Sequence, residues 1–534
     1  MLGRILATVL FAGGLAAQHA HVASSEKPVV LMGGLGTYQH RITTANTEAQ
    51  KFFNQGLILL YGFNRYEALR SFHRAAELDP QALMPQVGIA LAYGPHINMD
   101  MDGDTDAAKS CVAVAAAQKL AANASERERA YAEALASRCP EYKPDAYIAA
   151  MRKLYHRYPD DYDAAALFAE SIMVPNRWKW FQAGGVPAPG MAEAISVLEQ
   201  TMRRNPEHPG ANHFYIHAVE MSPEPERAIP SAQRLMGIVP SAGHLLHMPG
   251  HIWMVLGEYE LVVSINERAA QVDRKYFEQT GVQQGAYGGY YVHNLHFIAA
   301  AQMMRGRRAD SQKAASDVFQ ATQPFMDAMA PMLDPFAAMP LFVQMRFGLW
   351  DEVLAAPAPD ARLVSLNALR HWARAAAYQA KGQRSEAVTE QKLFEEARGK
   401  VPADSLWVVN KSADVLSLAA AILDARLAPT PEASIPHWTR AVELQDGLVY
   451  DEPPPWYYPV RESLGGALLR AGHPEDAEIV FREALRRTPK NGRVLFGLVE
   501  SLKAQNKTDA VALVQREFEA AWQQADVPLT VASL

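Results

Sequence analysis

Apolar residues recur at intervals of three and four along most of the 534-residue chain, the spacing of amphipathic helices. NQGLILLYGFNRYEALRSFHRAAELDP, HWARAAAYQAKGQRSEAVTEQKLFEEA and ESLGGALLRAGHPEDAEIVFREALRRTP show it best. Each is two apolar-striped segments joined at a turn residue, with small side chains where the stripes face each other. Turn signals return at short intervals, and no run alternates apolar and polar residues as a half-buried strand does. The pattern therefore predicts pairs of antiparallel helices in series. A chain this long does not close around one core; stacked pairs bury their apolar faces against their neighbours.

Gly56, Ala68, Phe72, Ala75 and Pro80 in the first string, and Gly465, Gly472, Ala477, Phe481, Ala484 and Pro489 in the last, fall at the offsets of the tetratricopeptide repeat, a helical hairpin of about 34 residues. Ala375, Tyr378, Gly382 and Ala387 mark a third copy. The expected fold is all-α, a tetratricopeptide-repeat α-solenoid of stacked helical hairpins. Its segments are expected at 24–160, 161–330 and 331–534, the middle one carrying a histidine cluster.

That cluster is the chemical feature of the chain. HFYIH (213–217) and HMPGH (247–251) lie 34 residues apart, one repeat. HNLH (293–296) copies HLLH (244–247) after 49 residues, one repeat plus an insertion of 15. On the repeat frame His213 and His247 share one position, His217 and His251 another, and His244 and His293 a third. His296 takes the position of His247, and Glu220 lies one turn beyond His217. Residues three and four apart share a helix face, and in this repeat class that face lines the concave groove. His213, His217, His244, His247, His251, His293, His296 and Glu220 are thus predicted to face one cavity. Glu170 aligns as a weaker member one repeat upstream, and His371 falls at a packing position and reads as a core histidine. Pro249 interrupts the pattern, because a mid-helix proline costs roughly 3 kcal/mol and kinks the helix.

Neighbouring helices lie roughly 8–10 Å apart, so facing imidazoles can meet at one ion with bonds near ~2.0 Å. Imidazoles with at most one carboxylate suit Zn²⁺, Cu²⁺ or Fe²⁺, and the lack of thiolates disfavours Cu⁺ or structural zinc. Seven histidines exceed what one ion needs, which points to a binuclear site or to one ion with spare imidazoles carrying protons. Glu220, the candidate catalytic residue, is a ligand, an acceptor holding a histidine tautomer, or a general base. Neither string is the HExxH of a zinc protease, so no peptidase is expected. An ordinary imidazole pKa near 6.5 predicts that protons compete with metal below about that pH. The bland alternative is a histidine-rich groove satisfied by water and carboxylates.

Composition narrows the class. Hydrophobic residues make up 49% and charged ones 20%, as in ordinary folded proteins. The net charge of −7 and the absence of a dense Lys/Arg block argue against nucleic-acid binding. Residues 1–23, with Arg4 before an apolar run from Ile5 to Ala17, read as a secretory signal peptide. A periplasmic or secreted protein with no stable membrane span after cleavage is expected. Cys111 and Cys139 flank a turn near residues 122–125 and are either a disulfide or two small buried side chains. GPHINMDMDGDTD at 94–106 fails the calcium-loop pattern, since no Glu closes it. YDEPPPWYYPVRESLG, with Asp451, Glu452, Trp456, Tyr457 and Arg461, is either a lid over the groove or a rigid connector.

FNQGLILLYGFN, EALRSFHRAAELDP, GPHIN, PGANHFYIHAVEMSPEPERA, SAGHLLHMPGHI, HNLHF and DEPPPWYYPVRESLG together resemble a family of bacterial tetratricopeptide-repeat proteins. The chain departs from that pattern at His96 and Arg65. The resemblance implies a repeat fold with the histidine strings built in, and carries no established reaction. The leading expectation from the residues is a metal-dependent enzyme, an oxidoreductase using Cu or Fe or a hydrolase using Zn²⁺. The alternatives are a scaffold holding a small-molecule, peptide or protein partner in its groove, and a metal-storage protein.

Overall fold

The computed structural model describes residues 27–98, 105–182, 184–282 and 286–534. The expected signal peptide, and residues 99–104 of the acidic stretch, lie outside the described residues. The architecture is the expected all-α stack of helical hairpins, a tetratricopeptide-type solenoid. Among the described residues, strand structure is confined to two ribbons, Phe181–Gln182 with Val186–Pro187 and Leu406–Trp407 with Asn410–Lys411. No described helix is long and apolar enough to cross a membrane.

The first hairpin shows how the local sequence builds the unit. Asn46 accepts from the backbone N–H groups of Glu48 and Ala49 to start the helix Thr47–Tyr61, and Asn64 caps Arg65–Leu78, satisfying N–H groups that lack intrahelical partners. Small positions then set the packing. A Cβ on Gly56 would meet the Phe72 ring at 2.6 Å, and one on Gly88 of the next hairpin would meet the same ring at 2.5 Å. Phe481 sits likewise between Gly465 and Gly497. In these two repeats one aromatic side chain fills space that two glycines leave open.

The solenoid winds back on itself, and this decides the site. Asp526 accepts from the backbone of Arg308 at 2.7 Å and of Ala309 at 3.1 Å, and Lys490 pairs with Glu258, so the last hairpins close on the centre. Glu462 joins the turns from within, bonding Arg346 at 2.8 Å and Arg493 at 2.5 Å with all three side chains buried. The extended segment before the first helix crosses the other side. Ser241 N–H donates to the Gly34 carbonyl at 2.9 Å, while Tyr38 and His40 bond to Asp163 at 2.8 and 2.6 Å. The open concave groove expected from the repeat class is therefore filled with side chains. A short superhelix with inward aromatic residues buries more apolar area closed than open.

Cys111, in the helix Ala107–Lys119, is bonded to Cys139, just beyond Glu126–Ala136. The bridge closes a loop of 28 residues, and removing such a constraint is worth roughly 3–4 kcal/mol. Cys111→Ser is expected to lower the thermal unfolding midpoint by several degrees, and reducing the wild type with dithiothreitol to lower it equally, as read by circular dichroism.

Candidate metal centre

Four helices bring the histidines together. Pro209–Glu220 carries His213, His217 and Glu220; Gly243–His247 and Pro249–Val255 carry His244, His247 and His251; Ala286–Met304 carries His293 and His296. Pro249 does not destroy the spacing. It takes the first position of its helix, where a missing N–H costs nothing. Met248 keeps right-handed helical angles and accepts from His251 N–H at 3.2 Å, so the turn tightens without unwinding. His247 Nε2 and His251 Nε2 end 2.8 Å apart.

Six of the seven histidines join groups of close ligand atoms. His213, His217 and His244 form one triad and His247, His251 and His293 a second, with ligand atoms inside each triad within 4.8 Å of one another. Glu220 with His217 and His251 forms a group between them. His213, His217, His244, His247 and His251 are at most 3% exposed and His293 is half-buried, so the site is an interior one. His296 does not join. It packs against Phe336 and lines a neighbouring cavity instead. Glu170 is apart as well. It is buried near Arg65 and Arg138, and burial raises its pKa to about 7 against the pull of those two guanidinium groups. His371 is half-buried and bonds Glu390 at 2.7 Å within its own hairpin, so it is satisfied locally but not sealed in the core.

Acceptors around the cluster decide where each lone pair points. His213 Nδ1 donates to the Tyr61 carbonyl at 2.6 Å, His217 Nδ1 to Glu220 Oε1 at 3.0 Å, and His251 Nδ1 to Glu220 Oε2 at 2.6 Å. His247 Nδ1 donates to Asn266 Oδ1 at 2.6 Å, and Asn266 is held by its own bond to the Val262 carbonyl at 2.8 Å. With hydrogen on Nδ1, each ring turns its Nε2 inward. His213 Nε2, His217 Nε2 and both nitrogens of His244 are buried without a hydrogen-bond partner. His247 Nε2 and His251 Nε2 face each other at hydrogen-bonding distance, 2.8 Å, so a shared proton or a metal ion satisfies the pair.

Electrostatics agree with this reading. Burial is the main cause that lowers the pKa values of His213, His244, His247 and His293 well below 6.5, with neighbouring imidazoles adding to it; His217 is lowered too, and His296 falls to about 4 by burial alone. The rings are neutral at pH 7, the form that ligates metal, and competition by protons starts well below the 6.5 expected from the sequence. For Glu220, burial raises the pKa, but His251 and His217 outweigh it and hold the carboxyl at about 2. A carboxylate this weakly basic, with both oxygens engaged, suits orienting histidines better than taking protons.

The surrounding residues were invisible as a set in the sequence. Asn266 reads there as one polar residue on an apolar stripe of Tyr259–Thr280. Gly250 admits it, since a Cβ there would meet Asn266 Nδ2 at 2.7 Å. Phe63 comes from the first hairpin. Its φ of 53° is strained for a bulky residue, and the turn places its ring 4.5 Å from His213 and 5.1 Å from His244. Tyr61, which fixes His213, is itself fixed through its hydroxyl to Asp163 at 2.6 Å. His40, Asp161 and Asp163 form a fourth close group, but Asp163 already receives Tyr38, Tyr61 and His40, with His208 at 3.2 Å. That group reads as a hydrogen-bonded clasp for the N-terminal segment. Glu452, from the loop after Tyr450, reaches within 3.5 Å of His251 Nδ1.

No family model and no curated protein matches the chain. Solved structures with a similar course include the human IFIT1 dimer with m7Gppp-AAAA (13% identity, covering 91% of this chain and 92% of that one, TM-score 0.35). Yeast Tom70 (12% identity, 88% and 90%, TM-score 0.29) and the TPR domain of P58(IPK) (11%, 86% and 99%, TM-score 0.22) are others. At these scores they say nothing about the site.

Because the buried rings stay neutral in the fold but take up protons in the unfolded chain below about 6.5, unfolding binds protons. Stability of the metal-free protein is fully present above that pH and falls as pH drops below it. Calorimetry between pH 7.5 and 5 is expected to show the decline, and His244→Phe to flatten it. Gly250→Ala, which pushes Asn266 away from His247, is expected to weaken metal binding by about 10- to 100-fold, the usual range for such supporting contacts, with the helical spectrum unchanged.

Proposed function

We propose that the protein is a metal-binding helical-repeat protein whose buried histidines hold up to two ions of Zn, Cu or Fe, and that the centre serves a reaction. The observation that carries this is the inward convergence of Nε2 atoms, with His213 Nε2, His217 Nε2 and both nitrogens of His244 buried without a partner and His247 Nε2 2.8 Å from His251 Nε2. Structural burial of histidine by itself gives no reason for four nitrogens to lack partners. Bound there, Zn²⁺ would supply Lewis acidity for hydrolysis, and Cu or Fe electron transfer for oxidoreduction. The chain's own residues orient the ligands through Glu220, Asn266 and the Tyr61 carbonyl, and exclude water with Phe63, Trp178 and Trp180.

A second reading draws on the fold and on a large apolar cavity beside the centre: a scaffold that binds a partner, with the histidines as a structural or storage site. The disulfide favours an oxidising compartment, which supports export to the periplasm or beyond.

Elemental analysis of the purified full chain is expected to find one or two equivalents of transition metal, reduced by at least one in His247→Ala/His251→Ala. No bound metal after growth in supplemented medium, together with no uptake on titration, overturns the metal centre and leaves the scaffold.

A further inference from the structure

Beside the second triad lies a cavity of about 370 Å³, within the range of small-molecule sites. Three of its lining residues lead back to the histidines. Met254 is one turn beyond His251, His296 one turn beyond His293, and Glu452 both lines the cavity and stands 3.5 Å from His251 Nδ1. The loop from Tyr450 to Pro459 forms one wall, so the segment that reads in sequence as lid or connector lines this chamber.

The wall chemistry selects the occupant. Met254, Met303, Met339, Phe342, Trp407 and Trp456 make it apolar and aromatic, and thioether side chains adapt to irregular shapes. The two arginines at its edge each have carboxylate partners. Arg461 is bonded to Asp446 at 2.6 Å through both guanidinium nitrogens, and Arg487 to Glu483 at 2.9 Å and Asp446 at 3.4 Å. Asp451 and Glu452 add two carboxyl groups on the inner side. No described lining residue presents a positive charge that lacks a carboxylate partner.

We propose that this cavity is a substrate chamber for an uncharged, largely aromatic or aliphatic small molecule, presented to the His247/His251/His293 side of the metal centre past Glu452. The proposal rests on the metal-centre reading, and its test separates the two. The full chain, loaded with Co²⁺ as a visible probe, is titrated with neutral N-phenyl-1-naphthylamine and with its sulfonate, 8-anilino-1-naphthalenesulfonate. The neutral amine is expected to bind at one per chain, at least tenfold tighter than the sulfonate, and to shift the Co²⁺ absorption bands. Met303→Trp and Ala300→Phe, two independent fillings of the chamber, are each expected to weaken amine binding tenfold or more while cobalt content stays at the wild-type value. Equal affinity for the two dyes, binding indifferent to both substitutions, or cobalt bands unmoved at saturation overturns the chamber. A chain that takes up no cobalt fails the metal reading, and the chamber with it, before any dye is added.

Discussion

The carboxylate of Glu220 is buried among imidazoles at the point where two repeats meet, and the arrangement of the centre follows from how its charge is satisfied. A carboxylate out of water is costly unless it is hydrogen-bonded on both oxygens. Here one oxygen takes His217 from its own helix and the other takes His251 from the next. Both rings are thereby locked with hydrogen on Nδ1, which turns their Nε2 atoms toward the remaining histidines. Charge satisfaction at one residue thus sets tautomers on two repeats and turns a cluster of imidazole nitrogens toward one another.

The rest of the fold keeps water away from that arrangement. The N-terminal segment is clasped to Asp163, which holds Tyr61, whose carbonyl holds His213. The returning C-terminal hairpins and the loop after Tyr450 close the opposite side. Low local dielectric strengthens each of these bonds and makes each unpaired nitrogen more costly. Closure and chemistry are therefore coupled: an open solenoid would hydrate the histidines and remove the reason for their order.

Two positions depart from expectation. His296 shares its repeat position with His247, yet its imidazole packs against Phe336 and lines the apolar cavity instead. Pro249 looked like a break in the ligand helix, but a tightened turn accommodates it, and the adjoining Gly250 lets Asn266 reach His247. The interruption is part of how that ring is oriented.

Local information was enough for a good deal of this. Helical period, small residues facing Phe72 and Phe481, and the 34-residue offset of the histidine strings are short-range properties, so the hairpin array, the ligand helices and six close-grouped histidines were legible from residue order alone. The Cys111–Cys139 pairing was left open between two outcomes because sequence spacing does not report Cα separation. Other features depend on residues far apart in the chain. The burial of the site, the tautomer carried by each ring, and the roles of Tyr61, Phe63, Asn266 and Glu452 arise only when the superhelix closes. Its pitch is a sum of small rotations between neighbouring hairpins, and no single repeat encodes that sum.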